Sequence, residues 1–204
     1  MAFSGTTDIL GDINIEAGGE IITLGGATTT IFDGLLHNGL QIRTGEGSRT
    51  VVFGTVGGVG AYTDVGLVEF VDGFSPGSSP AEVSFGGDVL LSPGSTTLIE
   101  LAGTANGEYD RLLVAGALEL SGALEVQLLD GFAPSNYTAF EILAATDLSG
   151  EFSSLVLPDL LGNLSWDSSL LYSNGTLSVI PEPASLSLLA VGLLTACRRR
   201  RRCG

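Results

Sequence analysis

The chain has 204 residues, 30 of them Gly and 7 Pro, with 44% apolar residues and only 15% charged. That apolar share excludes a disordered acidic tail, Gly without a Gly-X-Y period excludes collagen, and the length suffices for one good core or one core plus an appendage. Charge is divided unevenly: 23 acidic residues face Arg43, Arg49 and Arg111 up to Cys197, a balance of −20, and Arg198 to Arg202 then return +5. An acidic body with three scattered cations cannot neutralise a row of phosphates, which excludes nucleic acid as a partner and makes divalent cations the more natural company.

Met1 to Ile9 carries no basic n-region and no apolar run of seven, so it does not read as a secretory signal peptide. The expectation is that the chain either stays inside the cell or lacks its true beginning. Short apolar runs follow, at Ile13–Ile15, Glu20–Leu24, Thr30–Phe32, Leu40–Arg43, Thr50–Phe53, Leu67–Val71, Glu82–Phe85 and Thr97–Leu101, and Gly, Asn, Asp or Ser separates nearly all of them. From Leu112 to Leu128 every even position is apolar or Gly, while the odd ones include Glu119, Ser121, Glu125 and Gln127. That is the period of a strand, since at 100° per residue the same positions would scatter around a helix. Gly116 and Gly122 interrupt the alternation and predict bends between short strands.

Many short strands with frequent Gly turns predict an all-β fold: a β-solenoid body, with a β-sandwich as the alternative. The shortness of the runs and the absence of a helical pattern before residue 184 favour the solenoid, although no fixed repeat length is visible. The division expected is 1–72 for N-terminal β-rungs continuing from a missing upstream region, 73–179 for a C-terminal solenoid region, and 180–204 for a separate tail. The order Phe74 to Pro80, Gly87 to Leu91, Ile99 to Gly103, Tyr109 to Gly116, Gly122 to Val126 and Leu164 to Asp167 resembles the C-terminal part of bacterial surface proteins with autotransporter-associated β-strand repeats. The resemblance implies a right-handed parallel β-helix.

The tail has three physical parts. Pro181, Glu182 and Pro183 lack two backbone donors and predict an extended, exposed segment that neither a sheet nor a helix absorbs, which is what a processing enzyme needs to grip. Ala184 to Cys197 is apolar, with Ala184, Leu186, Leu188, Leu189, Val191, Leu193, Leu194 and Ala196 as the membrane-facing candidates; as a helix it would span about 21 Å, short of a ~30 Å hydrocarbon core. Arg198, Arg199, Arg200, Arg201 and Arg202 follow directly, and such a block marks the side that stays cytoplasmic and supplies snorkelling length. Order, spacing and terminal position together resemble the PEP-CTERM sorting signal. The resemblance implies an exported bacterial protein whose tail, a short transmembrane helix with a cytoplasmic basic anchor, is recognised at Pro181, Glu182 and Pro183 and cut by a membrane exosortase. The product would reside at the cell surface or in an exopolysaccharide matrix, with the membrane as its location if uncut. Cys197 and Cys203 lie outside the usual pattern.

Other chemistry is sparse. Glu108 and Asp110 are a carboxylate pair on which a secreted carbohydrate-active enzyme, the alternative function, would rest, but the carboxylates read as solvated turn or surface groups and the protein as non-enzymatic. Two of the three body arginines read as turn residues, as does His37, the single histidine, so neither a His-pair zinc site nor a His-based triad is expected; no metal ligand and no cofactor is assigned, and calcium on Asp and Asn oxygens in turns stays open. Trp166, Tyr109, Tyr137 and Tyr172 offer aromatic faces for sugars, with core or end-cap packing the expectation for Trp166. Leu194 to Cys197 looks like a lipobox, a coincidence at this end of a chain.

Overall fold

The computed structural model describes residues 4–77 and 80–182. Its strands stack in parallel, each on the strand one rung earlier, in three ladders. The first ladder runs Thr6–Ile9, Thr28–Ile31, Arg49–Val52, Leu67–Phe70 and Asp88–Leu91. The second runs Ile13–Ile15, Leu35–His37, Val56–Gly57, Gly73–Phe74, Thr96–Leu101, Ala123–Leu128 and Ser154–Val156. The third runs Glu20–Thr23, Gln41–Thr44, Ala61–Thr63 and Glu82–Phe85. The first and third ladders meet in one long strand, Arg111–Leu120, which pairs Glu82–Phe85 along its first half and Val89 and Leu90 along its second. Leu143–Gly150 stacks on it as the last parallel strand. The body is all-β, and its coiled parallel stacking is consistent with the expected β-solenoid.

Strand geometry sends every second side chain to the same face, and parallel register turns the inward positions into columns, while in the first ladder Thr30, Val51 and Glu69 are covered on the opposite face too. Ile9, Ile31, Val52, Phe70 and Leu91 form one column. Leu35, Val56, Phe74, Thr97 and Leu124 form the second, and Ile42, Tyr62, Phe85 and Val114 the third. Each large apolar side chain removed from water contributes about 1.5–3 kcal/mol before the entropy of ordering is charged against it. Where the columns carry rings, they pack into a cluster: Phe70 lies 4.3 Å from Phe74, and Tyr62 lies 4.5 Å from Phe85. Polar residues stack inside as well. Thr23 donates to Thr29 and Thr44 bonds to Thr50, both at 2.7 Å and fully enclosed, so four buried hydroxyls satisfy one another across the corner between ladders.

Inter-rung hydrogen bonds step 22 residues from Asp12 to Gly34, 21 from Arg43 to Asp64, 29 from Asp88 to Ala117 and 31 from Gly122 to Ser153. The register step falls to 18 residues between Arg49 and Leu67 before it rises toward the C-terminal rungs, so the rung varies in length and no fixed repeat shows in the sequence. Gly122 bends the chain as expected, but Gly116 does not separate two short strands: it lies inside the continuous strand Arg111–Leu120, where it allows a slip in register. A Cβ on Gly116 would meet Asp88 Oδ1 and the Gly87 carbonyl, and the register slips between Val114 and Ala117. Gly122 has φ +69 and turns the chain from the long strand into Ala123–Leu128.

The last rung is covered by an antiparallel sheet in the order Ala139–Glu141, Thr176–Pro181, Leu164–Asp167. A helical turn at Leu171–Asn174, ended by Gly175 at φ 72, precedes its central strand. Sequence reading missed this turn because four residues carry no helical period. Trp166 packs in this cap: its indole Nε1 donates to the Pro158 carbonyl at 2.8 Å and its ring lies 6.2 Å from Phe140.

Candidate functional site

The central cap strand delivers the sorting candidate. Thr176–Pro181 alternates in burial, with Leu177 and Val179 enclosed, so packing sets which way the strand faces at its end. Along one side it pairs with Leu164–Asp167, and the last pair in register is Leu164 with Pro181. Glu182 then donates its N–H to the Asn163 carbonyl at 2.9 Å. Along the other side the Val179 N–H donates to the Thr138 carbonyl and the Tyr137 N–H to the Val179 carbonyl, both at 2.8 Å. Pro181 and Glu182 are exposed. The expectation of a segment that no sheet absorbs is therefore corrected for its first residue. Pro181 closes a strand, which proline tolerates at a strand end because no ladder bond needs its missing N–H.

Pro183, the apolar positions Ala184, Leu186, Leu188, Leu189, Val191, Leu193, Leu194 and Ala196, and the arginines 198–202 lie outside the described residues. Among the described residues, no helix is long and apolar enough to cross a membrane.

The other candidates are placed differently from their sequence reading. Asp110 is fully buried, not solvated, and its two oxygens accept N–H groups from Ala81 at 2.6 Å and Glu100 at 2.8 Å. Burial pushes its carboxyl up to about 7, against the opposing pull of those two bonds. Glu108 spends one oxygen on the N–H groups of Thr104 and Ala105, bracing its own loop. The pair thus holds backbone in place. His37 is an inward strand residue, not a turn residue. Its Nε2 lies 3.1 Å from the Ala61 carbonyl, its Nδ1 has no partner, and its ring meets the Tyr62 ring edge-on at 5.2 Å. Burial holds its pKa below the ordinary value.

All three body arginines lie in strands, where each ties one rung to another. Arg43 bonds Asp64 at 3.0 Å, Arg49 bonds Glu69, and Arg111 bonds both Glu82 and Glu141. Sequence reading missed these staples because their partners lie about a rung away, with no fixed spacing to betray them. Of the aromatic candidates, Tyr109 is buried, with its ring 5.4 Å from Phe140, while Tyr137 is 77% exposed. Two shallow grooves cross the body surface, one of about 390 Å³ between Ser84 and Thr146 and one of about 410 Å³ between Asp12 and Thr55. Among the described residues no group of three His, Cys, Asp or Glu side chains could hold a metal ion.

Residues 179–202 match the PEP-CTERM protein-sorting motif. The motif marks an exported protein targeted by an exosortase to the cell surface or extracellular space. No curated protein matches the chain. The matched segment begins at Val179, inside the central strand of the cap, so folded body and sorting motif overlap by three residues of that strand.

Proposed function

We propose that the protein is a non-enzymatic structural component of a bacterial cell surface or extracellular matrix, held transiently in the inner membrane by its tail and released by exosortase cleavage beside Pro181, Glu182 and Pro183. The observation that carries this reading is the overlap of the sorting motif with the last cap strand, because a tail that begins where the fold ends can be removed without loss of any rung. The apolar stretch from Ala184 to Cys197 is read as the short transmembrane helix and Arg198 to Arg202 as its cytoplasmic anchor. The body is read as a right-handed parallel β-helix of the autotransporter-associated type, a rigid acidic rod suited to cation-bridged contact with exopolysaccharide. Commitment of Glu108 and Asp110 to backbone N–H groups supports the non-enzymatic reading.

The test is the intact mass of the protein from its native cells, with membrane and external fractions kept apart. A product ending near Pro183 in the external fraction is expected. Full-length protein confined to the cytosol would overturn the proposal.

A further inference from the structure

The place where the sorting tail leaves the body is bordered by exposed apolar groups. On one side of the last strand the Tyr137 N–H donates to the Val179 carbonyl, three residues before Glu182, and on the other side the Asn163 carbonyl accepts the N–H of Glu182 itself. Tyr137 is 77% exposed, and Leu161, two residues before Asn163, is 76% exposed. Both are costly placements. Tyr137 has φ 63, a left-handed conformation that an aromatic residue seldom adopts, and it holds a large ring out in water. Asp159, two residues before Leu161, and Glu182 are exposed as well.

We propose that Tyr137 and Leu161 form an apolar collar around the exit of the sorting tail, and that this collar seats the cap on the surface of a phospholipid bilayer. The inference rests on the reading of the tail as a membrane segment. Only Pro183 lies between Glu182, tied to Asn163, and the apolar stretch that starts at Ala184. One residue reaches at most ~3.6 Å, so once that stretch is embedded the collar lies at the headgroups. The same shortness disfavours the chain's own apolar stretch as occupant, because folding back over the collar needs a turn of several residues. Charge selects the contact further. The body is strongly anionic, so it is drawn to a bilayer by apolar and aromatic groups alone, and a tyrosine ring with its hydroxyl suits the depth between acyl chains and water. Asp159 and Glu182 keep the collar from sinking deeper.

Trp166, the single tryptophan, reports on this loop because its indole donates to the Pro158 carbonyl at the loop's base. The experiment places the full chain in phosphatidylcholine vesicles brominated at shallow or deep acyl positions, and reads vesicle flotation and Trp166 emission together. Shallow bromines are expected to quench Trp166 and deep ones far less. Leu161→Asp and Tyr137→Asn are each expected to reduce the quenching several-fold with flotation unchanged. Asn tolerates the left-handed backbone at residue 137, so that variant keeps its thermal midpoint, which separates loss of contact from loss of fold. A wild-type chain that floats while Trp166 stays unquenched overturns the collar alone. Equal quenching in wild type and both variants overturns it as well, while a chain that fails to float removes the membrane reading and the collar with it. Without vesicles, protection of Trp166 from a soluble quencher that is greater in wild type than in Leu161→Asp and Tyr137→Asn would assign the collar to the chain's own tail and overturn the proposal.

Discussion

Two buried titratable groups, Asp110 and His37, set opposite demands on pH. In Asp110→Asn the amide nitrogen must face one of the two N–H donors, leaving a buried donor unsatisfied, so a loss of about 1–3 kcal/mol is expected in urea unfolding. Asp110 has a folded pKa raised from 3.8 to about 7. Its contribution is therefore fully present below 3.8 and is lost as pH rises through about 7. His37 works the other way. Its folded pKa lies below 6.5, so its contribution is present above 6.5 and is lost as pH falls through the lowered value. Stability measured across this range in Asp110→Asn should lack the decline toward neutral pH, and in His37→Leu should lack the decline on acidification. Neither group was legible as buried from sequence. Burial at a corner or inside a strand is decided by the rungs stacked above and below, which no local pattern encodes.

At the scale of elements, the turns between rungs separate glycines that are tolerant from those that are not. Gly122 and Gly131 both have positive φ, at +69 and +73. A Cβ at Gly122 would run into the Ser95 carbonyl oxygen, whereas nothing lies within 4 Å at Gly131. Gly131→Ala should therefore cost only the left-handed penalty of roughly 1–2 kcal/mol, and Gly122→Ala clearly more, as read by thermal unfolding. The alternation from Leu112 to Leu128 made both strands and the turn at Gly122 legible. What made Gly116 necessary was hidden, because Asp88 and Gly87 approach it from the rung before. The Arg111 staple belongs to this scale too. Arg111→Met leaves Glu82 and Glu141 without their shared cation, so the variant should be destabilised at low salt and recover partly as salt screens the two carboxylates.

For the whole molecule, the arginines of the described body are each paired with a carboxylate, and the remaining acidic groups give it one sign of charge. Such a body should not be retained by duplex DNA at physiological salt, checked by filter binding with the tail removed after Glu182. If exopolysaccharide contact is bridged by divalent cations, EDTA should release the protein from purified polysaccharide. Binding that ignores the chelator would remove the bridging idea.

Composition and alternation already determined the all-β class, the acidic body and the segmented tail, because strand period, turn residues and charge blocks are local properties of a chain. The columns, the Arg staples, the buried Asp110 and His37, and the seating of Pro181 against Leu164 were decided only by tertiary structure. Each depends on which residue of one rung or strand lies beside which residue of another, and rungs that vary from 18 residues between Arg49 and Leu67 to 31 between Gly122 and Ser153 leave that register unwritten in any local stretch. The sorting motif was legible as a string, but its overlap with the last strand of the fold was not, since that requires Leu164 and Asn163 to arrive at its side.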